Sequence, residues 1–149
     1  MDSCPILIVN DSPDDVALTL RALHQSRSDH EVVVARDGVE ALDYLHGTGA
    51  FAGRDARLQP ALMLLDLNLP RLSGLNVLRQ MQADPELSQI RVVVLTSSQE
   101  DEDIVASYAH GACSYVRKPV GFHEFLATVR RLSEYWLTLN EPVPCGPSA

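Results

Sequence analysis

The sequence predicts a doubly wound α/β protein: a five-stranded parallel sheet with helices on both faces. Three observations predict it. Short apolar runs rich in Val, Ile and Leu recur along the chain, as strands buried on both faces require. A segment with apolar residues at helical spacing follows each run. Several of the joints between them open on a Ser or Asp suited to capping a helix. Strands alternating with helices give a parallel sheet with right-handed crossovers. The natural strand order is the flavodoxin-like 2-1-3-4-5, a (βα)5 three-layer sandwich. A chain of 149 residues forms one such domain with room for a real core.

Residues 5–9 (Pro-Ile-Leu-Ile-Val) read as the first strand. Asn10-Asp11 close it. Ser12 is a good N-cap, Pro13 suits the first helical position, and Asp15 sits where a capping box places an acid. Val16, Leu20 and Leu23 give the first helix its apolar stripe. Residues 31–35 are the second strand. Asp37-Gly38-Val39-Glu40 is again a cap and first turn, with Leu42 and Leu45 turned inward. Residues 47–60 hold three glycines, Arg54, Arg57 and Pro60. Such a surface loop is long for a compact domain, which makes it a candidate functional segment.

The third strand is the apolar stretch from Ala61 to Leu65, and it ends abruptly in Asp66. Ser73-Gly74 start a helix that carries Leu75, Leu78 and Met81, and Asp84-Pro85 ends it. Residues 90–95 form the fourth strand, running into Thr96-Ser97-Ser98. Ser97 with Glu100 reads as a capping box, and the following acids suit a helix N-terminus. Ile104, Val105 and Tyr108 are the expected buried face of that helix. Residues 113–117 are a short fifth strand leading to Lys118-Pro119. The last helix has the cleanest period, in Phe122, Phe125, Leu126, Val129, Leu132 and Trp136. Tyr135, Trp136, Leu137 and Leu139 extend beyond what five strands cover, and an exposed apolar end of this kind marks an interface. Residues 140–149 hold three prolines and one glycine and read as a frayed tail.

Composition excludes several classes. No apolar run is long enough to span a bilayer, and the N-terminus lacks a secretory pattern, so a cytoplasmic protein is expected. The net charge of −8 argues against binding nucleic acid unaided, since that affinity rests on Lys and Arg. Cys4, Cys113 and Cys145 are an odd count without metal-like spacing and are expected to be reduced thiols.

In the 2-1-3-4-5 order, the first, third, fourth and fifth strands are neighbours. Their C-terminal ends bring Asn10-Asp11, Asp66, Thr96-Ser97 and Lys118 to one sheet edge, where open α/β sheets place their ligand sites. Two converging carboxylates repel unless a cation lies between them. Mg²⁺ suits the place, because it accepts one or two carboxylates, waters and a phosphate oxygen. Phosphoryl transfer needs mainly positioning and charge stabilisation. Asp66 then reads as a phosphate acceptor, Asp11 as its partner on the metal, and Lys118 and Thr96 as holders of phosphoryl oxygens. An aspartate at a strand end is by itself most often a cap or loop residue. The joint placement of Asp11, Thr96 and Lys118 is what makes the reading functional.

Taken together, Asp11, the run Asp66-Leu67-Asn68-Leu69-Pro70 with Gly74, Thr96, and Tyr115 followed by Lys118-Pro119 resemble a two-component response-regulator receiver domain. The resemblance covers about residues 4–137. Asp11-Ser12-Pro13-Asp14-Asp15, Val94-Leu95-Thr96-Ser97-Ser98 and Glu134-Tyr135-Trp136-Leu137 make it most similar to the single-domain regulators paired with bacterial and cyanobacterial phytochromes. The resemblance implies that residues 1–139 are the receiver, that 140–149 are a tail, and that no output domain follows. It implies a histidine kinase, of the phytochrome photoreceptor type, as phosphodonor to Asp66. It also implies Mg²⁺ ligation by Asp11, Asp66 and the backbone carbonyl of Asn68, with Thr96 and Tyr115 as switch residues. Pro70 and Gly74 belong to its structural pattern, and a cis Lys118–Pro119 peptide is part of it. A homodimer through helix 5 and the C-terminal segment is a further expectation.

The family usually carries an acid pair after the first strand, and here the first member is Asn10. Its amide oxygen can hold a metal-bound water but brings no charge, so weaker Mg²⁺ binding is expected. Two rival classes stand against the signalling module. A phosphatase of the haloacid-dehalogenase type would need an acid two residues after the nucleophile, where this chain has Asn68. A phosphorylation-independent interaction module would keep the fold alone. The receiver is expected to catalyse only its own phosphorylation and dephosphorylation and is not counted as an enzyme.

Overall fold

A computed structural model describes residues 4–26, 30–55 and 58–141. Five strands, β1 (Ile6–Val9), β2 (Val32–Ala35), β3 (Leu62–Leu65), β4 (Val92–Thr96) and β5 (Ser114–Arg117), alternate with five helices. These are α1 (Pro13–Gln25), α2 (Gly38–His46), α3 (Gly74–Gln82), α4 (Asp101–Ala109) and α5 (Phe122–Glu134). The sheet is parallel throughout, in the order β2-β1-β3-β4-β5. Fold class and strand order are therefore as the sequence predicts.

The side-chain period of two along each strand divides the core. Leu7, Val9, Met63, Leu65, Val92 and Val94 face one side, against Tyr44 and Leu45 of α2 and Val77, Leu78 and Met81 of α3. Ile6 and Ile8 face the other side, against Val16 and Leu23 of α1 and Phe125, Leu126 and Val129 of α5. Helix α4 packs against α3 and β5. The central strands β1, β3 and β4 are fully buried, whereas β5 is half-buried at the edge.

Three caps follow the sequence. Ser12, Asp37 and Ser73 each accept a hydrogen bond from the backbone three residues on. At α4 the expectation fails. Glu100, not Ser97, is the N-cap, and it makes no side-chain cap bond. Ser98 organises the turn instead, donating to Asp103 Oδ2 at 2.6 Å. The expected buried face of α4 is also wrong. Val105 is 68% exposed and Tyr108 51%, while Ser107 is the residue that is buried. This short helix covers only the sheet edge, so its inward strip runs through Ile104 and Ser107 and not around to Val105.

Phe122, expected in the core, is half exposed, with the Arg21 guanidinium over its ring at 5.6 Å. Helix α5 runs on into a π-helical turn, Tyr135–Leu139. Trp136 and Leu137 pack against Leu62, Leu64 and Val93, and so belong to the core. Tyr135 and Leu139 are the exposed apolar residues at this end. The segment after α2 lies at the surface, as expected, and is anchored on Tyr44: Phe51 meets that ring edge-on at 5.1 Å, and Arg54 stacks on it at 3.9 Å.

Every peptide bond among the described residues is trans, Lys118–Pro119 included, which corrects the expected cis bond. Trans is the ordinary state even before proline, with cis at about 5–6%. Cys4 is disulfide-bonded and Cys113 is a free thiol, which corrects the expectation of three reduced thiols. Pairing depends on which Cα atoms approach within about 7 Å, and spacing along a chain does not reveal that. Arg57, Cys145 and the tail from 142 onward lie outside the described residues. Among the described residues no helix is long and apolar enough to cross a membrane.

Candidate functional site

Strand register assembles the site. Val9 pairs with Leu65 and Leu65 with Val94, so Asn10 and Asp66 are the first residues past the paired ends. The Asp66 amide donates to the Val9 carbonyl at 3.0 Å. Thr96 pairs with Arg117, and the Lys118 amide closes the ladder on the Thr96 carbonyl at 2.8 Å. The topology thus delivers Asp66, Thr96 and Lys118 to one edge, as expected.

Their side chains meet there. Asp66 is 7% exposed and Thr96 fully buried. Asp66 Oδ1 accepts from the Thr96 hydroxyl at 3.0 Å and from the Asn68 amide at 3.2 Å. Its Oδ2 accepts from Lys118 Nζ at 2.8 Å. Two donors fill the lone pairs of Oδ1, so one lone pair of Oδ2 stays open. Burial disfavours the Lys118 ammonium, but hydrogen bonds and charge attraction from Asp15 and Asp66 outweigh it, and the net effect holds Lys118 above its ordinary pKa.

Asp15 is the residue that the sequence reading missed here. Its Oδ2 accepts from Lys118 Nζ at 2.7 Å. The capping box assigned it to the amide of Ser12. In the structure that amide donates to Asn10 Oδ1 at 2.9 Å, which leaves the Asp15 carboxylate free for the lysine. A helical spacing offered the signal: Asp15 lies four residues after Asp11, in a first turn that starts at the same sheet edge.

The expected metal partners are less gathered. Asp11 is exposed, and the side chain of Asn10 is buried in its bond to Ser12. Among the described residues no group of three or more His, Cys, Asp or Glu is poised around an ion. The donors available here, the Asp66 and Asp11 carboxylates and the Asn68 carbonyl, are nonetheless hard oxygens. Mg²⁺ needs only one or two carboxylates, with waters completing its shell, so the donor chemistry fits.

Two glycines shape the loop after Asp66. A Cβ on Gly74 would lie 2.4 Å from the Asp66 carbonyl oxygen, and one on Gly38 would lie 2.1 Å from that of Leu72. Arg71 takes a left-handed conformation at φ 66° and pairs with Asp37 Oδ2 at 3.3 Å. Pro70 is exposed in this loop. Tyr115 donates its phenol to the Ser98 carbonyl at 3.0 Å, tying β5 to the loop that follows Thr96.

The model of the response regulator receiver domain matches residues 6–130. The chain belongs to this family. The receiver domain is 36% identical to response regulator Rcp1 of Synechocystis over 132 residues, covering 89% of this chain and 88% of that protein. The Mn²⁺-bound crystal structure of Rcp1 superposes with a TM-score of 0.89, at 34% identity, over 95% of this chain and 100% of the other. The phosphorylated cyanobacterial phytochrome response regulator RcpA gives 0.88 at 37% identity, over 95% and 99%. The bacteriophytochrome response regulator RtBRR is 49% identical, with a TM-score of 0.76 over 97% and 86%. The receiver domain is thus related to phytochrome response regulators in both sequence and structure.

Proposed function

We propose that this receiver accepts a phosphoryl group on Asp66 from a histidine kinase of the phytochrome type and uses it to switch a protein-interaction surface. The observation that carries the reading is the Asp66 carboxylate itself. It is buried at the C-terminal sheet edge, bonded to Lys118, Thr96 and the Asn68 amide, with one lone pair open. That oxygen attacks phosphorus and the P–N bond of the phosphohistidine breaks. Its electron pair stays on the imidazole nitrogen, and the product is an acyl phosphate. Dephosphorylation is attack of water on the same phosphorus, releasing inorganic phosphate. Lys118 and the Thr96 hydroxyl bind phosphoryl oxygens and offset their developing charge.

Asp11, Asp66 and the Asn68 carbonyl are the residues that would hold Mg²⁺. When bound, the ion supplies positive charge against the phosphoryl oxygens. The metal-bound and phosphorylated relatives support this assignment. Asn10, committed to Ser12, would touch the ion only through water. Thr96 and Tyr115 are the switch pair, since both are bonded at the turn between β4 and α4. Residues 1–139 form the receiver and 140–149 its tail. The protein is cytoplasmic, binds no nucleic acid, and dimerises through α5 and its C-terminal extension, where Tyr135 and Leu139 are exposed.

The test is phosphate incorporation from acetyl phosphate with Mg²⁺. Wild type is expected to be labelled and Asp66→Asn is not; undiminished labelling of the variant would refute the assignment. Removing residues 138–149 and measuring the mass in solution tests the dimer: an unchanged dimer would exclude the tail from it.

A further inference from the structure

We propose that Asp15 is a positioning residue for phosphotransfer, holding the Lys118 ammonium at the sheet edge while Asp66 changes from a carboxylate to an acyl phosphate. The proposal rests on the reading of Asp66 as the phosphate acceptor.

The argument starts from the environment of Lys118. Its side chain is 12% exposed, and a charge so far from water needs a partner. It has two, Asp15 Oδ2 at 2.7 Å and Asp66 Oδ2 at 2.8 Å. These partners have different futures. Phosphorylation turns Asp66 into an acyl phosphate, whose carboxyl group then lacks the charge that attracts the lysine. Asp15 keeps its charge throughout. An ammonium has three N–H donors; two are occupied here, and the third is free for a phosphoryl oxygen. Lys118 can therefore reach the incoming group without releasing Asp15, and its other anchor does not depend on the reacting carboxylate.

The neighbouring bonds show that Asp15 is placed for this contact. Asn10 Oδ1 takes the Ser12 amide, which a capping-box acid would otherwise bind. The Asp15 amide is fixed by Ser12 Oγ at 3.3 Å and its carbonyl accepts from Thr19 Oγ1 at 2.8 Å. The first turn of α1 is thus bonded around Asp15 while its carboxylate points at Lys118. Asn10 and Asp15 act together: the uncharged side chain closes the helix, and the acid that the end of β1 lacks is supplied from one turn further along.

The experiment compares wild type, Asp15→Ala and Asp15→Asn for the rate of phosphorylation by saturating acetyl phosphate with Mg²⁺, with Tm measured alongside. A displaced catalytic group costs up to about 10²-fold, and a loss of about ten-fold is expected for Asp15→Ala. Asp15→Asn keeps an oxygen that can accept from Lys118 and is expected to recover most of that loss. Both variants lose the same acid from the first turn of α1, so a merely structural role would lower Tm alike in both and leave their maximal rates equal. Equal rates in all three proteins, or Asp15→Asn as slow as Asp15→Ala, would overturn the proposal. No labelling of wild type would instead remove the Asp66 reading, and this one with it.

Discussion

Thr96 donates its hydroxyl to Asp66 Oδ1 at 3.0 Å, and neither residue is more than 7% exposed. A hydrogen bond to a buried charged group contributes about 1.5–3 kcal/mol. Thr96→Ala removes the donor and leaves the Asn68 amide alone on that oxygen. The variant is expected to lose stability within that range, and Thr96→Ser to keep most of it. Urea unfolding at neutral pH measures both.

Asn10 presents a second expectation. Its Oδ1 already accepts from the Ser12 amide, and an aspartate in its place can accept the same bond. Asn10→Asp therefore adds charge next to Asp66 without removing the link to α1. Coulomb attraction between the added carboxylate and the cation is expected to lower the Mg²⁺ midpoint by about ten-fold. A midpoint unchanged in a Mg²⁺ titration would show that position 10 does not sense the ion.

Gly74 tests the packing beneath the site. Its missing Cβ would stand 2.4 Å from the Asp66 carbonyl oxygen and 2.7 Å from the Leu67 Cα. Both neighbours are backbone, so neither can swing aside. Gly74→Ala is expected to destabilise by about 1–3 kcal/mol, the usual cost of overpacking. A drop in thermal midpoint together with slower phosphate uptake is the expected signature.

Alkaline pH should weaken the fold through two groups. Lys118 lies above its ordinary 10.5: burial opposes the shift, but bonds to Asp15 and Asp66 overcome it. Tyr44 lies above its ordinary 10.0 because burial disfavours the phenolate, with Arg54 opposing. In each case the folded protein holds the proton more tightly than the unfolded chain. Their contribution is complete below those ordinary values and is lost as pH rises through the folded-state pKa. The urea midpoint is expected to fall above pH about 10, and Tyr44→Phe to reduce the slope of that fall.

The outer face of α4 gives a control. Val105 is 68% exposed, so Val105→Lys is expected to change stability by no more than about 0.5 kcal/mol. A core position would lose several times that in the same denaturation experiment.

The sheet and most of the site were readable from the residues because each rests on a local pattern. Apolar runs gave the strands, and strand order then brought Asp66, Thr96 and Lys118 together without any need for side-chain detail. The reading failed where a residue had two partners to choose between. Asp15 fits a capping box on paper, yet Lys118 lies 103 positions away in the chain and takes its carboxylate. Ser97 and Glu100 match the same pattern, but Ser98 captures Asp103. Helical spacing placed Val105 and Tyr108 inward, and only the narrow contact of an edge helix decides which strip is covered. Trp136 follows the apolar period of the last helix: the continuation of α5 folds it onto Leu62, Leu64 and Val93.

The close approach at Gly74 has a mechanical consequence. The Gly74 amide donates to the Leu67 carbonyl at 2.9 Å, and the α-carbon of Gly74 lies so near the Asp66 main chain that no methyl group fits between them. The main chain at Asp66 is thereby riveted to the first turn of α3, and it can shift only by dragging that helix along. Around Asp66 the side-chain donor Thr96 links to the β4–α4 turn, which leads to Ser98 and the phenol of Tyr115. If Asp66 is phosphorylated as proposed, the load falls on a fixed anvil: the strain is expected to travel outward toward α4, while the seat beneath it stays still.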